Sequence, residues 1–224
     1  MKTIGASSAS WTVLFFVMIA WLSGCTTLAR TAESIAPERP HDNSTSGILV
    51  VHVDTHVLVE GAYINFRRID EEGFYTLNAN GIDPQPVWNR EKGVKGRVFG
   101  MSLPPGSYEV FGWRLFATYH GARRGGGGPY YNFHSLDAPP VPFEIRAGEA
   151  TYIGHYTIDA TPRIQKGLLD FGPWIKDAHA SITDNFSADK QGFFRQYPDM
   201  SNTVVRNSAP SPDHWKGVKV RRGN

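Results

Sequence analysis

The residues of this chain best suited to chemistry stand together at His52-Val53-Asp54-Thr55-His56, where an imidazole, a carboxylate and a second imidazole recur at every second position. These are ligand types of zinc sites. If the segment is a strand, alternation puts all three on one face. Reach then limits them. At about 3.3 Å per residue the Cα atoms of His52 and His56 are about 13 Å apart, whereas a bound imidazole nitrogen sits about 2 Å from its metal. One histidine with Asp54 therefore makes a partial site, which His120, His134 or His155 would have to complete. The plainer reading is a solvent-facing strand that carries polar side chains and no metal.

A second candidate is the stretch from Thr118 to Pro140. It holds Tyr119, His120, Arg123 and Arg124, four consecutive glycines from Gly125 to Gly128, and then Tyr130, Tyr131, Phe133 and His134. A connection of this length without sustained periodicity exceeds an ordinary hairpin loop. Tyrosine faces and arginine donors suit glycan, peptide or protein surfaces. Tyr119, His120, Arg123, Arg124, Tyr130, Tyr131 and His134 are accordingly the candidate binding residues. The alternative is a connector whose aromatics pack back on the domain.

Recognised catalytic patterns are missing. The glycine run is followed by no Gly-Lys-Ser/Thr and is not a phosphate loop. Ser187-Ala188-Asp189-Lys190 fits the Ser-x-x-Lys spacing of serine enzymes, but the companion Ser-Asp-Asn and Lys-Thr-Gly motifs do not occur. Gly100-Met101-Ser102-Leu103-Pro104 lacks the final glycine of a nucleophile elbow. The expectation is a protein that is not an enzyme and uses no cofactor.

The elements that would position these residues are mostly strands. Val51, Val53, Val57 and Val59 share one parity and His52, Asp54, His56 and Glu60 the other, the period of a half-buried strand. Gly61-Ala62 reads as a turn, and Tyr63 to Ile69 as the hairpin partner. Further strand-like runs are Gly96–Leu103, Tyr108–Phe116, Val141–Arg146, Thr151–Ile158 and Ile164–Leu169. Pro104-Pro105-Gly106 and Arg146-Ala147-Gly148-Glu149 mark tight turns, with positive φ expected at Gly106. Phe111, Trp113 and Leu115 alternate with Tyr108, Val110 and Phe116, so this strand is expected to be apolar on both faces, with a helix covering the second. Ile182, Phe186, Phe193 and Tyr197 fall on one helical face, with Ser181 and Asp184 in capping-box spacing and a shorter helix starting near Ser187 as the alternative.

The amino-terminal segment has a different purpose. Lys2 precedes an apolar run from Trp11 to Leu22, too short for the roughly 20 apolar residues of a membrane span. Leu22-Ser23-Gly24-Cys25 follows directly, and Cys25 is the single cysteine of the chain. The tetrapeptide resembles the lipobox of bacterial lipoproteins. That resemblance implies cleavage of residues 1–24 as a signal peptide and diacylglycerol on Cys25. Thr26 stands where inner-membrane retention would call for Asp, so the resemblance favours the outer membrane. Residues 25–46 are expected to form the lipidated cysteine and a tether spanning about 25 Å as a flexible coil. With all cysteine committed to lipid, no disulfide is expected.

Without residues 1–24 the chain carries 22 basic and 21 acidic side chains. Such near-neutrality argues against a nucleic-acid partner. Phe99 to Trp113 and Pro142 to Gly154 resemble the prealbumin-like or carboxypeptidase-regulatory-like β-sandwich found in bacterial lipoproteins. That resemblance covers about residues 47–170, implies architecture, and brings no catalytic motif. The expected fold is therefore mainly β: an antiparallel β-sandwich of about seven strands over 47–170 with a C-terminal helix from 171–198 packed on it. Residues 199–224, polar with Pro210 and Pro212 and ending in Lys216, Lys219, Arg221 and Arg222, are expected to be a solvated polar and basic tail. Function is expected to lie in the bacterial cell envelope, as a membrane-anchored binding or structural module with a glycan or envelope-protein partner. The alternatives are a metal-assisted envelope enzyme and an accessory subunit of an envelope complex.

Overall fold

The computed structural model describes residues 34–35, 45–56, 61–79, 87–89, 94–118, 130–162 and 175–223. The architecture is the expected mainly β sandwich with a C-terminal helix. One sheet runs β1 (Ser34–Ile35), β4 (Phe74–Asn78), β3 (Gly61–Arg68), β7 (Gly106–Thr118), β8 (Tyr130–Ser135) and β13 (Val220–Gly223), with β9 (Val141–Ile145) beside the first half of β7. The other runs β11 (Ile175–Thr183), β10 (Ala150–Pro162), β2 (Gly47–Thr55), β6 (Val94–Leu103) and β5 (Val87–Asn89), with β12 (Val205–Asn207) against the start of β10. The signal segment, Cys25, and the strand expected at Ile164–Leu169 lie outside the described residues. Of the stretch read as a tether, Ser34–Ile35 pairs parallel to β4.

The main core lies between the sheets. Leu49, Val51 and Val53 of β2 meet Ile64 and Phe66 of β3, Tyr108 and Val110 of β7, and Ile153 and Tyr156 of β10, all buried. The expected hairpin of β2 with the next strand does not form. β2 pairs β6 and β10, while β3 pairs β4 and β7, so the chain crosses from one sheet to the other after β2. Both expected turns also carry the chain between sheets, β6 to β7 and β9 to β10. Gly106 has φ +156°, and the Tyr108 hydroxyl donates to the Pro104 carbonyl at 2.9 Å, closing that corner. The sandwich is largely antiparallel, but β10 lies parallel to β2.

The expectation for β7 needs correction. Its register against β3 skips Phe111, so a β-bulge reverses the alternation there. Tyr108 and Val110 before it, and Trp113, Leu115 and Ala117 after it, all point into the core. Phe111 is left outside, edge-on to Phe74 and under Arg67. One buried face suffices, and among the described residues no helix covers the other.

The helix α1 (Phe186–Gln196) packs instead on the outer face of the second sheet. There Ile48, Val50, Val98, Ala150 and Tyr152 form a separate core with Phe193 and Met200. Ile182 belongs to β11, which displaces the expected helix start, and Asp184 Oδ1 accepts from the Phe186 amide at 3.1 Å. Glycine at 100 has a steric reason, since a Cβ there would come 2.5 Å from Phe193 Cε2. Glycine at 192 likewise lets the helix approach Val98.

Residues 199–223 are no solvated tail. β12 extends one sheet and β13 the other. Between them Trp215 is 2% exposed, stands edge-on to Tyr156, and donates from Nε1 to the Pro139 carbonyl at 3.0 Å. A buried tryptophan supplies enough apolar area to hold a polar, charged segment in place.

Candidate functional site

The outer face of the second sheet gathers most of the chemistry the sequence offers. Residues 48 and 50 of β2 point toward α1, so His52 and Asp54 do as well. On β10, Tyr152 and His155 have opposite parity and would lie on opposite faces of a regular strand. They share one face because the register against β2 shifts between them, from Tyr152 opposite Val50 to His155 opposite His52. Gly154, with φ +119°, occupies the bulge; that backbone region is open chiefly to glycine. The result places His155 directly beside His52, ring centroids 3.9 Å apart and planes 32° off parallel.

Helix α1 completes the cluster with Asp189 in its first turn. Asp189 Oδ1 accepts from His52 Nδ1 at 2.6 Å, and Oδ2 accepts from the Tyr152 hydroxyl at 2.6 Å. His155 reaches two carboxylates, with Nε2 2.8 Å from Asp54 Oδ2 and Nδ1 3.4 Å from Asp189 Oδ2. The Asn185 side-chain amide lies 3.0 Å from His155 Nδ1. Gly96 faces Asp54 across the strand pair, and a Cβ there would come 2.2 Å from that of Asp54. Its bareness makes room for the carboxylate.

The electrostatics follow from burial and pairing. Asp189 is buried, which opposes its charge, yet the hydrogen bonds from His155 and His52 prevail and hold its carboxyl far below the ordinary range. Burial likewise opposes the charge of Asp54, and the His155 hydrogen bond and charge outweigh it, lowering this carboxyl too. Burial works against the His155 imidazolium, but its bonds to Asp189 and Asp54 raise it to about 9. Tyr152 is pushed far above the usual phenol value, first by burial and then by the bond to Asp189. At neutral pH the cluster thus holds an imidazolium between two carboxylates.

The remaining candidates divide plainly. His56 leaves the cluster for Asp159, with Nδ1 2.6 Å from Oδ2. His134 lies on β8 in the opposite sheet, while His120 is outside the described residues. Tyr119, Arg123 and Arg124 are outside them too, and Tyr130 is described only as the first backbone position of β8. Tyr131 was expected in a binding loop; it is a strand residue in the core, 2% exposed, with Arg222 over its ring. Ser187 is exposed, and Lys190 rests against the Phe186 and Phe194 rings, so Ser-x-x-Lys reflects helix packing. Asp189, inside that same tetrapeptide, is the site residue sequence reasoning missed. Its signal was an acid on the helical face of Phe186 and Phe193.

A separate cleft of about 660 Å³ opens between β11 and the segment leading into β13. Asp177, His179, Ser181, Asp213, Lys216 and Lys219 supply its polar lining.

No protein-family model matches this chain, and no curated protein is significantly similar to it. Among solved structures, it is similar to a leucine-rich repeat protein from Bacteroides thetaiotaomicron VPI-5482, at 13% identity and a TM-score of 0.28. The match covers 55% of this chain and 14% of that one, a likeness too slight to bear on fold or function.

Proposed function

We propose that the protein is a lipid-anchored component of a bacterial cell envelope whose β-sandwich serves as a non-enzymatic binding or structural module. The observation that carries this reading is Leu22-Ser23-Gly24-Cys25 at the end of a short apolar run, with Cys25 the single cysteine. Two or three acyl chains give durable attachment where one chain holds only marginally, since each buried CH2 contributes about 0.8 kcal/mol. Thr26 favours the outer membrane. Among the described residues no helix is long and apolar enough to cross a membrane.

The cleft beside β11 is the proposed surface for recognition. Its mixed acidic, basic and hydroxyl lining suits a glycan or a peptide segment of an envelope partner. The test is metabolic labelling of the full chain with a palmitate analogue in a bacterial host, with and without inhibition of lipoprotein signal peptidase. Labelling that disappears in Cys25→Ala and cleavage before Cys25 are expected. An unlabelled, uncleaved chain in the soluble fraction would overturn the anchor. In-cell crosslinking from the cleft should then recover a reproducible envelope partner or glycan. Turnover of a substrate abolished by one polar substitution would overturn the non-enzymatic reading.

A further inference from the structure

We propose that His52, Asp54 and His155 form a binding site for one divalent first-row transition-metal ion, with Asp189 as the residue that orients His52. This reverses the sequence expectation of no metal, and it stands independently of the lipid anchor.

Three observations support it. One ligand atom from each residue lies within 4.8 Å of the other two. Ligands that share a tetrahedral ion at about 2.0–2.1 Å stand about 3.3 Å apart, so the widest pair must close by only about 1.5 Å. Second, Asp54 Oδ1 is buried and makes no hydrogen bond. An orphaned oxygen on a buried carboxylate is costly in a finished core and is satisfied by a cation. Third, the supporting shell of a metal site is already in place. Asp189 accepts from His52 Nδ1 at 2.6 Å, which leaves Nε2 as the ligand and fixes the ring, the usual carboxylate–histidine–metal arrangement. On His155, Nε2 faces Asp54 while Nδ1 is held by Asn185 and Asp189.

Charge and access agree with this assignment. Asp54 and Asp189 are two carboxylates with side chains 6% and 5% exposed, and a divalent ion balances them when it takes the place of the proton on His155, which leaves to solvent. His52 is 20% exposed, so the cluster opens to solvent on its side. Two imidazoles and one carboxylate leave coordination positions free for water or a ligand, as in open zinc sites and non-haem iron sites. Magnesium and calcium, which seek oxygen ligands, are poorly served.

The test uses the full chain in detergent, stripped with a chelator and titrated with Zn²⁺, Co²⁺ and, without oxygen, Fe²⁺. One ion per chain is expected. His52→Ala, His155→Ala and Asp54→Asn should each weaken binding by about 100-fold or more. Asp189→Asn should weaken it by about 10- to 100-fold while keeping the stoichiometry. His56→Ala should change nothing. Because these substitutions also remove buried partners, Co²⁺-loaded wild-type protein supplies an independent measurement. Paramagnetic shifts should appear on the rings of two histidines, His52 and His155, and leave His134, His179 and His214 unmoved. Absence of stoichiometric Zn²⁺, Co²⁺ or Fe²⁺ in the wild-type chain, shifts on other histidines, or binding of Mg²⁺ and Ca²⁺ alone would each overturn the assignment.

Discussion

His52 Nδ1 meets Asp189 Oδ1 at 2.6 Å across 137 residues of sequence, and that contact ties α1 to the central strand β2. The helix therefore does two things on one face. Phe193 seals the apolar half of the sheet, and Asp189, one turn earlier, caps its polar half.

Removing the carboxylate leaves the buried Tyr152 phenol and His52 Nδ1 without their partner, and His155 with Asp54 alone. Asp189→Ala should cost about 3–5 kcal/mol in urea unfolding. Asp159→Ala, which breaks the more exposed pair with His56, should cost under about 1 kcal/mol. Equal losses would contradict the central place given to Asp189.

His155 also makes stability depend on pH in the metal-free protein. Its value rises from the ordinary 6.5 to about 9, although burial alone would lower it, because Asp189 and Asp54 hold the charged form. The folded chain thus binds this proton more tightly than the unfolded chain. The contribution is whole below pH 6.5 and is lost as pH rises through 9. Over that window about 3 kcal/mol should disappear. Asp54 and Asp189 act in the opposite sense: their contributions are present above the ordinary 3.8 and fade as pH falls below it. Urea midpoints across the alkaline window should decline in wild type and flatten in His155→Gln.

Gly154→Ala tests the bulge. At φ +119° an alanine is strained, and about 1–3 kcal/mol should be lost. Relief of that strain by straightening β10 would turn His155 away from His52. The His155 ring resonances should therefore shift, whereas those of His214 should not.

Trp215→Ala distinguishes an integral carboxy-terminal segment from a tail. A loss of about 3–5 kcal/mol is expected from burial against Tyr156. A loss near zero would restore the tail reading of residues 199–224.

Much of the fold was legible because it is local. The parity of Val51 and Val53 against His52 and Asp54 marks β2, Pro104-Pro105-Gly106 marks a corner, and Phe186, Phe193 and Tyr197 mark a helical face ending before Pro198. What misled was the assumption that adjacent strands pair and that alternation never breaks. β2 and β3 sit in different sheets, and the bulges at Phe111 and Gly154 reverse the alternation.

By itself the sequence determined the class of fold, the strand carrying His52 and Asp54, and the lone cysteine in its lipobox-like setting, since each depends on neighbours a few residues apart. Only the tertiary structure decided that His155, Asp189 and Tyr152 converge on that strand while His56 turns to Asp159. Those choices follow from a parallel pairing, one extra residue in β10 and the docking of α1. Each is set by burying apolar area across distant segments, a constraint that no local spacing carries.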